Sequence, residues 1–162
     1  VDETVFLGVR EYDAVKVIDV IEAKKDLKIS SPVGTKLPIT AGAIGKIFLS
    51  TMDNEELLTF ISEKGLPQYT ENSITDVDAF IAEINETRRL GYSVDMEEYL
   101  KGIRAIATLI RQDGKPVGAI WFVGFSNSMI DERLNQIIRN LKHTADQISA
   151  RMSFSPAGEK DI

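Results

Sequence analysis

Three carboxylates stand almost adjacent in this chain: Asp95, Glu97 and Glu98. Side chains of this type at this spacing hold a hard cation through oxygen, or move a proton between a substrate and water. The same residues also make an ordinary solvated acidic turn. Asp95 differs from the two glutamates because it follows an apolar stretch and could point inward. There it would be a ligand anchor or a structural hydrogen-bond acceptor.

The segment from Thr40 to Lys46 is a second candidate. Thr40 is expected to cap a helix, and Ala41, Gly42, Ala43 and Gly45 keep its start small. Free backbone N–H groups at such a terminus attract carboxylates or phosphates. The same small residues would equally let the helix pack tightly on a sheet. Trp121, the single tryptophan, lies beside Phe122 and is either core or the wall of a ligand pocket. His143, the single histidine, falls off the apolar stripe of the last helix and is expected to face solvent. No nucleophile elbow, phosphate-binding glycine loop or zinc-type histidine pair occurs. No catalytic residue, metal or cofactor is therefore assigned.

The elements that must position these residues follow from pattern. Thr4 to Val9 and Ala14 to Ile21 are β-rich and separated by Tyr12-Asp13, and Leu27 to Ser30 reads as a short third strand. Ser31-Pro32-Val33-Gly34 is a turn by composition. A helix is expected from Thr40 to about Thr51. A second begins at Asp53 and Glu56, a capping-box pair, and stops at Gly65. A third starts at Thr75 and Asp78 and ends at Gly91. Tyr92 to Asp95, Ile103 to Arg111 and Pro116 to Gly124 are strands, and a last helix spans Asp131 to Met152 on a helical apolar period. The order is βββ-ααα-βββ-α, which argues for an α+β fold with an antiparallel sheet flanked by helices.

Composition narrows the function. The chain has 162 residues, 43% of them hydrophobic and 27% charged, which fits one globular domain. Its net charge is -6, and it lacks the basic stripe that grips nucleic-acid phosphates. No apolar run is long enough for a membrane helix. The absence of cysteine excludes disulfides and is compatible with a reducing cytoplasm.

Several motifs then fall in a familiar order. Ser30-Ser31-Pro32-Val33-Gly34, Lys36-Leu37-Pro38 and Gly45-Lys46 are followed by Gly65-Leu66-Pro67 with Tyr69-Thr70. Next come Arg89, Gly91-Tyr92-Ser93, Asp95, Glu97-Glu98 and Gly102-Ile103-Arg104. This series resembles the C-terminal effector-binding domain of IclR-type transcription regulators, from about Thr4 to Met152. The resemblance implies a GAF/PAS-like fold over residues 1–152, with 153–162 as a disordered tail. It implies a small-molecule effector that modulates operator binding by a winged helix-turn-helix domain, which is absent from this chain. It also implies homodimers or homotetramers, a cytoplasmic location, DNA contact only through that missing domain, and no membrane.

Carried over residue by residue, the resemblance places apolar pocket walls at Ile29, Leu37 and Ile103. It places effector contacts at Ala43, Ile44, Asp95, Ala105, Trp121 and Val123. The family often has cysteine at the position of Ala105 and serine at those of Trp121 and Val123. Their replacement removes hydrogen-bond donors, so the expected effector is more apolar than glyoxylate or pyruvate. The assignment depends on strand register. A two-residue turn at Asp113-Gly114 would put Ala105 opposite Phe122 and Trp121 on the other face. A three-residue loop, Gln112-Asp113-Gly114, would put Ala105 opposite Trp121, with Val123 on their face. The pocket needs the second face assignment. Two alternatives remain at this stage: an oligomerisation module with a vestigial pocket, and a carboxylate- or metal-dependent enzyme built on Asp95.

Overall fold

A computed structural model describes residues 2–153. Six strands form one antiparallel sheet: β1 (Thr4–Glu11), β2 (Ala14–Ile21), β3 (Lys36–Pro38), β4 (Ser93–Met96), β5 (Ile103–Gln112) and β6 (Lys115–Phe125). Their spatial order is β3-β2-β1-β6-β5-β4. Helices α1 (Gly42–Leu49), α2 (Asn54–Lys64) and α3 (Val77–Leu90) follow β3, and α4 (Asp131–Ser153) ends the described chain. This is the expected α+β arrangement.

Alternation along the strands divides the core between the two sheet faces. Phe6, Val15, Val17, Ala105, Ala107, Trp121 and Val123 pack with α1 and with the buried residues of α2 and α3. Ile106, Ile110, Ile120 and Phe122 point the other way and pack on Ile137, Leu141 and Ala145 of α4. All eight residues of α1 are buried, Lys46 included, so this short helix is held by surrounding structure rather than by its own propensity. No helix among the described residues is long and apolar enough to cross a membrane. His143 is exposed on α4, as the apolar period requires.

Three expectations need correction. The third strand is Lys36–Pro38 and not Leu27 to Ser30. Lys36, Leu37 and Pro38 pair with Lys16, Val15 and Ala14, while the Ile29 carbonyl accepts the Thr4 hydroxyl at 2.6 Å and Leu27 is exposed. Ala41, not Thr40, is the N-cap of α1, and it offers no side-chain bond. The Thr40 hydroxyl is 2.7 Å from the Tyr69 hydroxyl instead. Asp76, not Thr75, caps α3, its carboxylate accepting from the Ala79 N–H at 2.8 Å. The capping box at Asp53 and Glu56 forms with both hydrogen bonds. Ser153 closes α4, and the rest of the expected tail, 154–162, lies outside the described residues.

The β5–β6 register combines parts of both expectations. The turn has two residues, Asp113 and Gly114, both with positive φ (51° and 79°), as a type I′ hairpin requires. An extra residue, Val117, then bulges from β6, because Arg111 pairs with Pro116 and Ile110 with Gly118. Beyond the bulge Ala105 faces Val123 and Ala107 faces Trp121. Neither anticipated pairing occurs, yet Ala105, Trp121 and Val123 share one face.

Candidate ligand pocket

Between that sheet face and the N-terminus of α1 lies a cavity of about 230 Å³. All nine residues carried over from the sequence line it: Ile29, Leu37, Ala43, Ile44, Asp95, Ile103, Ala105, Trp121 and Val123. Eight further residues complete the lining: Phe6, Val17, Ser30, Ser31, Ala41, Gly42, Tyr99 and Leu100. Alternation in β1 and β2 could have supplied Phe6 and Val17, since they share a face with the other inward residues. Nothing in pattern pointed to Tyr99 or Leu100, which sit in the loop between β4 and β5.

Strand β4 carries Asp95 to the cavity. Ser93 and Asp95 are buried on the inner side, and the Ser93 hydroxyl donates to the Ala43 carbonyl at 2.6 Å, tying β4 to α1. Asp95 is 4% exposed. One carboxylate oxygen, Oδ1, accepts the Glu98 backbone N–H at 2.6 Å, which closes the turn after the strand. The other, Oδ2, packs against Gly42, where a Cβ would come within 2.1 Å of it. Gly42 also has a φ of +50°, so glycine is required both for backbone and for space. Burial pushes the Asp95 carboxyl up to about 6. The Glu98 N–H opposes that rise, the Glu98 carboxylate adds to it, and Lys46 opposes it.

The opposite wall is apolar and aromatic. Trp121 stacks on Phe6 with ring centroids 5.2 Å apart and planes inclined by 19°. Tyr99 closes the Asp95 end, its ring meeting Tyr69 edge-on at 4.9 Å. The loop carrying Tyr99 and Leu100 is fixed both by the neighbouring 70–73 segment and across its own base. Thr70 donates to the Glu97 carbonyl at 2.6 Å, Ser73 to the Glu98 carbonyl at 2.7 Å, and Gly102 N–H to the Glu97 carboxylate.

The acidic cluster does not converge. Asp95 faces the cavity, Glu97 accepts from Gly102, and the Glu98 carboxylate lies 2.9 Å from the Lys46 ammonium. Among the described residues no three acidic, histidine or cysteine side chains are placed to hold a metal ion. What the arrangement offers is a largely apolar pocket with a single carboxylate at one end.

Residues 1–150 match the sequence model described as bacterial transcriptional regulator IclR, C-terminal. The chain belongs to the IclR family. A curated relative, the HTH-type transcriptional repressor AllR of Escherichia coli K12, is 32% identical over 153 residues. The match covers 94% of this chain and 56% of AllR, so this IclR-family domain spans little more than half the length of that relative. Among solved structures, Thermotoga maritima IclR superposes with a TM-score of 0.85 at 27% identity, covering 94% of this chain and 62% of that one. The inducer-binding domain of the Acinetobacter transcription factor PobR, a double mutant in complex with 3-hydroxy benzoic acid, gives 0.83 at 25% identity, covering 91% of this chain and 87% of that one. The IclR family is one of transcriptional regulators, not enzymes, so the carboxylate-enzyme alternative is set aside.

Proposed function

We propose that residues 1–152 form an effector-binding domain whose cavity takes a small molecule, with the nine residues named above as its contacts. Ligand binding there would bias the arrangement of the whole regulator and so change operator binding by its winged helix-turn-helix domain. The observation that carries this reading is the cavity between Asp95, Gly42 and Trp121, about 230 Å³ in size. Kinship with an inducer-binding domain that holds a small aromatic acid supports it. Ala105, Trp121 and Val123 bring no hydroxyl or thiol to the space, which favours an effector more apolar than glyoxylate or pyruvate. DNA contact belongs to the helix-turn-helix domain, since this chain carries a net charge of -6. The working form is a homodimer or homotetramer in the cytoplasm.

The test is a metabolite screen on this domain by thermal shift and tryptophan fluorescence. A ligand at a hundred times its Kd adds about 2.7 kcal/mol, or roughly 5–10 °C in Tm for a domain of this size. Stabilisation by some class of small apolar molecule, with a change in Trp121 emission, is expected. No response from any class would overturn the reading. Light scattering after gel filtration should give a dimer or tetramer mass, and a monomer would remove the assembly part.

A further inference from the structure

We infer that residues 22–31 form a strap that closes one side of the cavity, and that Asp2, Glu3 and Thr4 clasp it, with Thr4 as the positioning residue of the Ile29 wall. The inference rests on the binding reading above and adds the device that governs access to the same cavity.

The segment 22–35 joins β2 to β3 and brings Ile29, Ser30 and Ser31 to the cavity. Its last part is tied to β2 through the backbone. Gly34 N–H donates to the Val17 carbonyl at 2.8 Å, and Val17 N–H to the Thr35 carbonyl at 2.9 Å. Among the described residues, 22–31 have no backbone tie of this kind. Such a stretch must find side-chain partners or stay open to water. Three consecutive residues at the entry to β1 supply those partners. The Asp2 carboxylate accepts the Lys24 N–H at 2.7 Å, and the Glu3 carboxylate lies 2.6 Å from the Lys25 ammonium. The Thr4 hydroxyl accepts the Ala23 N–H at 3.2 Å and donates to the Ile29 carbonyl at 2.6 Å.

Thr4 stands at the edge of the cavity. It shares a face of β1 with Phe6 and lies opposite Val123 in register, and both of those residues line the space. One buried oxygen therefore holds the strap at two points, Ala23 and Ile29. Glu3 is buried beside Gly124, where a Cβ would lie 2.9 Å from its carboxyl carbon. A buried carboxylate needs its cation, so Lys25 and the strap are held with it. Leu27, on the same strap, is exposed, so a single layer of chain separates the cavity from water there. Opening the strap breaks the Thr4 bonds, and releasing residues 2–4 frees the strap. Cavity occupancy and the order of the segment entering β1 are thus coupled, and linkage makes that coupling reciprocal. In the regulator proposed above, a load on this segment changes the affinity of the cavity, and a ligand packed on Ile29 stiffens the segment.

The experiment uses this chain in buffer, without ligand or denaturant. Hydrogen exchange at the Ala23 and Lys24 amides reads the clasp. Acrylamide quenching of Trp121, the single tryptophan and 3% exposed on the cavity wall, reads access. Thr4→Val keeps the shape of the side chain and removes its hydroxyl. Exchange at Ala23 should quicken about tenfold, and the quenching constant should rise at least about twofold. Thr4→Ser keeps the hydroxyl and should leave both near the parent values. Asp2→Ala, at an exposed position, releases Lys24 alone and should raise both by less; it carries the test if Thr4→Val does not fold. Ile110→Val weakens the core on the α4 side, away from the clasp, and should leave quenching unchanged. Unchanged quenching in Thr4→Val and Asp2→Ala would overturn the strap as the gate, even with faster exchange at Ala23 and Lys24. An equal rise in Ile110→Val would show general loosening and overturn it as well. Neither readout needs a ligand, so a silent metabolite screen would remove the binding reading and leave the clasp standing.

Discussion

Asp95 and Gly42 are in direct contact: a Cβ on Gly42 would lie 2.1 Å from the Asp95 carboxylate oxygen Oδ2. The contact sets the distance between β4 and the first turn of α1, and with it the polar end of the cavity. Gly42 also holds a φ of +50°, which costs a residue with a side chain roughly 1–2 kcal/mol. Gly42→Ala therefore combines backbone strain with a clash against a buried charge. The expected loss is about 2–4 kcal/mol in urea unfolding, together with loss of ligand response. A Gly42→Ala variant as stable as the parent would show that β4 and α1 can separate freely.

Asp95 also predicts a pH dependence. Its carboxyl is pushed up to about 6 in the folded chain against an ordinary 3.8. Between these values the folded state binds the proton and the unfolded state does not. Stability contributed by this group is thus present below about pH 4 and lost as pH rises to 6. The loss amounts to roughly 3 kcal/mol by pH 7. Asp95→Asn keeps a neutral acceptor for the Glu98 N–H and removes the buried charge. Relative to the parent, the variant should gain stability as pH is raised from 4 to 7, by up to that amount. Paired unfolding curves at the two pH values test this, because titration of all other groups cancels in the comparison. A difference independent of pH would sink the claim.

The sequence was informative where local chemistry decides the outcome. The Asp53–Glu56 capping box, the glycine at Gly91 and the apolar period of α4 need only neighbouring residues, and they formed as read. Features set by distant partners were not legible. Thr40 looks like a cap, but Tyr69, 29 positions away, takes its hydroxyl. Leu27 to Ser30 has strand-like composition, but the sheet edge is filled by Lys36–Pro38. The bulge at Val117 has no signal of its own beyond Pro116, which cannot donate to a ladder. Opposite it, the Arg111 N–H leaves the sheet for the Ser149 hydroxyl of α4 at 2.9 Å. The pocket positions were reached through family resemblance and strand alternation. The loop carrying Tyr99 was reached by neither.

Gly8 makes room for Trp121. A Cβ there would lie 2.8 Å from the far edge of the indole and 2.9 Å from the Lys16 carbonyl oxygen. Gly8→Ala must displace the ring that forms one cavity wall, at a cost of about 1–3 kcal/mol. Trp121→Phe removes the indole atoms that would clash. In that background Gly8→Ala should cost less, by on the order of 1 kcal/mol, with the residue of the cost due to the Lys16 carbonyl. A double-mutant cycle in urea measures the coupling. Additive costs would mean that the indole does not depend on the space left by Gly8.

Lys46 tests whether the charges behind the pocket act as one buried network. It is 2% exposed, and its ammonium reaches Glu83, Glu98 and the Val94 carbonyl. Lys46→Met keeps the length of the side chain and removes its charge. Glu98 and the carbonyl then remain largely shielded from water without their partner, and breaking a buried pair in this way costs about 3–5 kcal/mol. Glu83 is the more exposed acid, with 36% of its side chain open to solvent. Glu83→Gln leaves Lys46 bonded to Glu98 and Val94, so its expected cost is below about 1 kcal/mol. Urea unfolding of the two variants should therefore differ by at least about 2 kcal/mol. Equal costs would mean that the lysine is stabilised from the solvent side, and that Glu98 is not held by it beneath the polar end of the cavity.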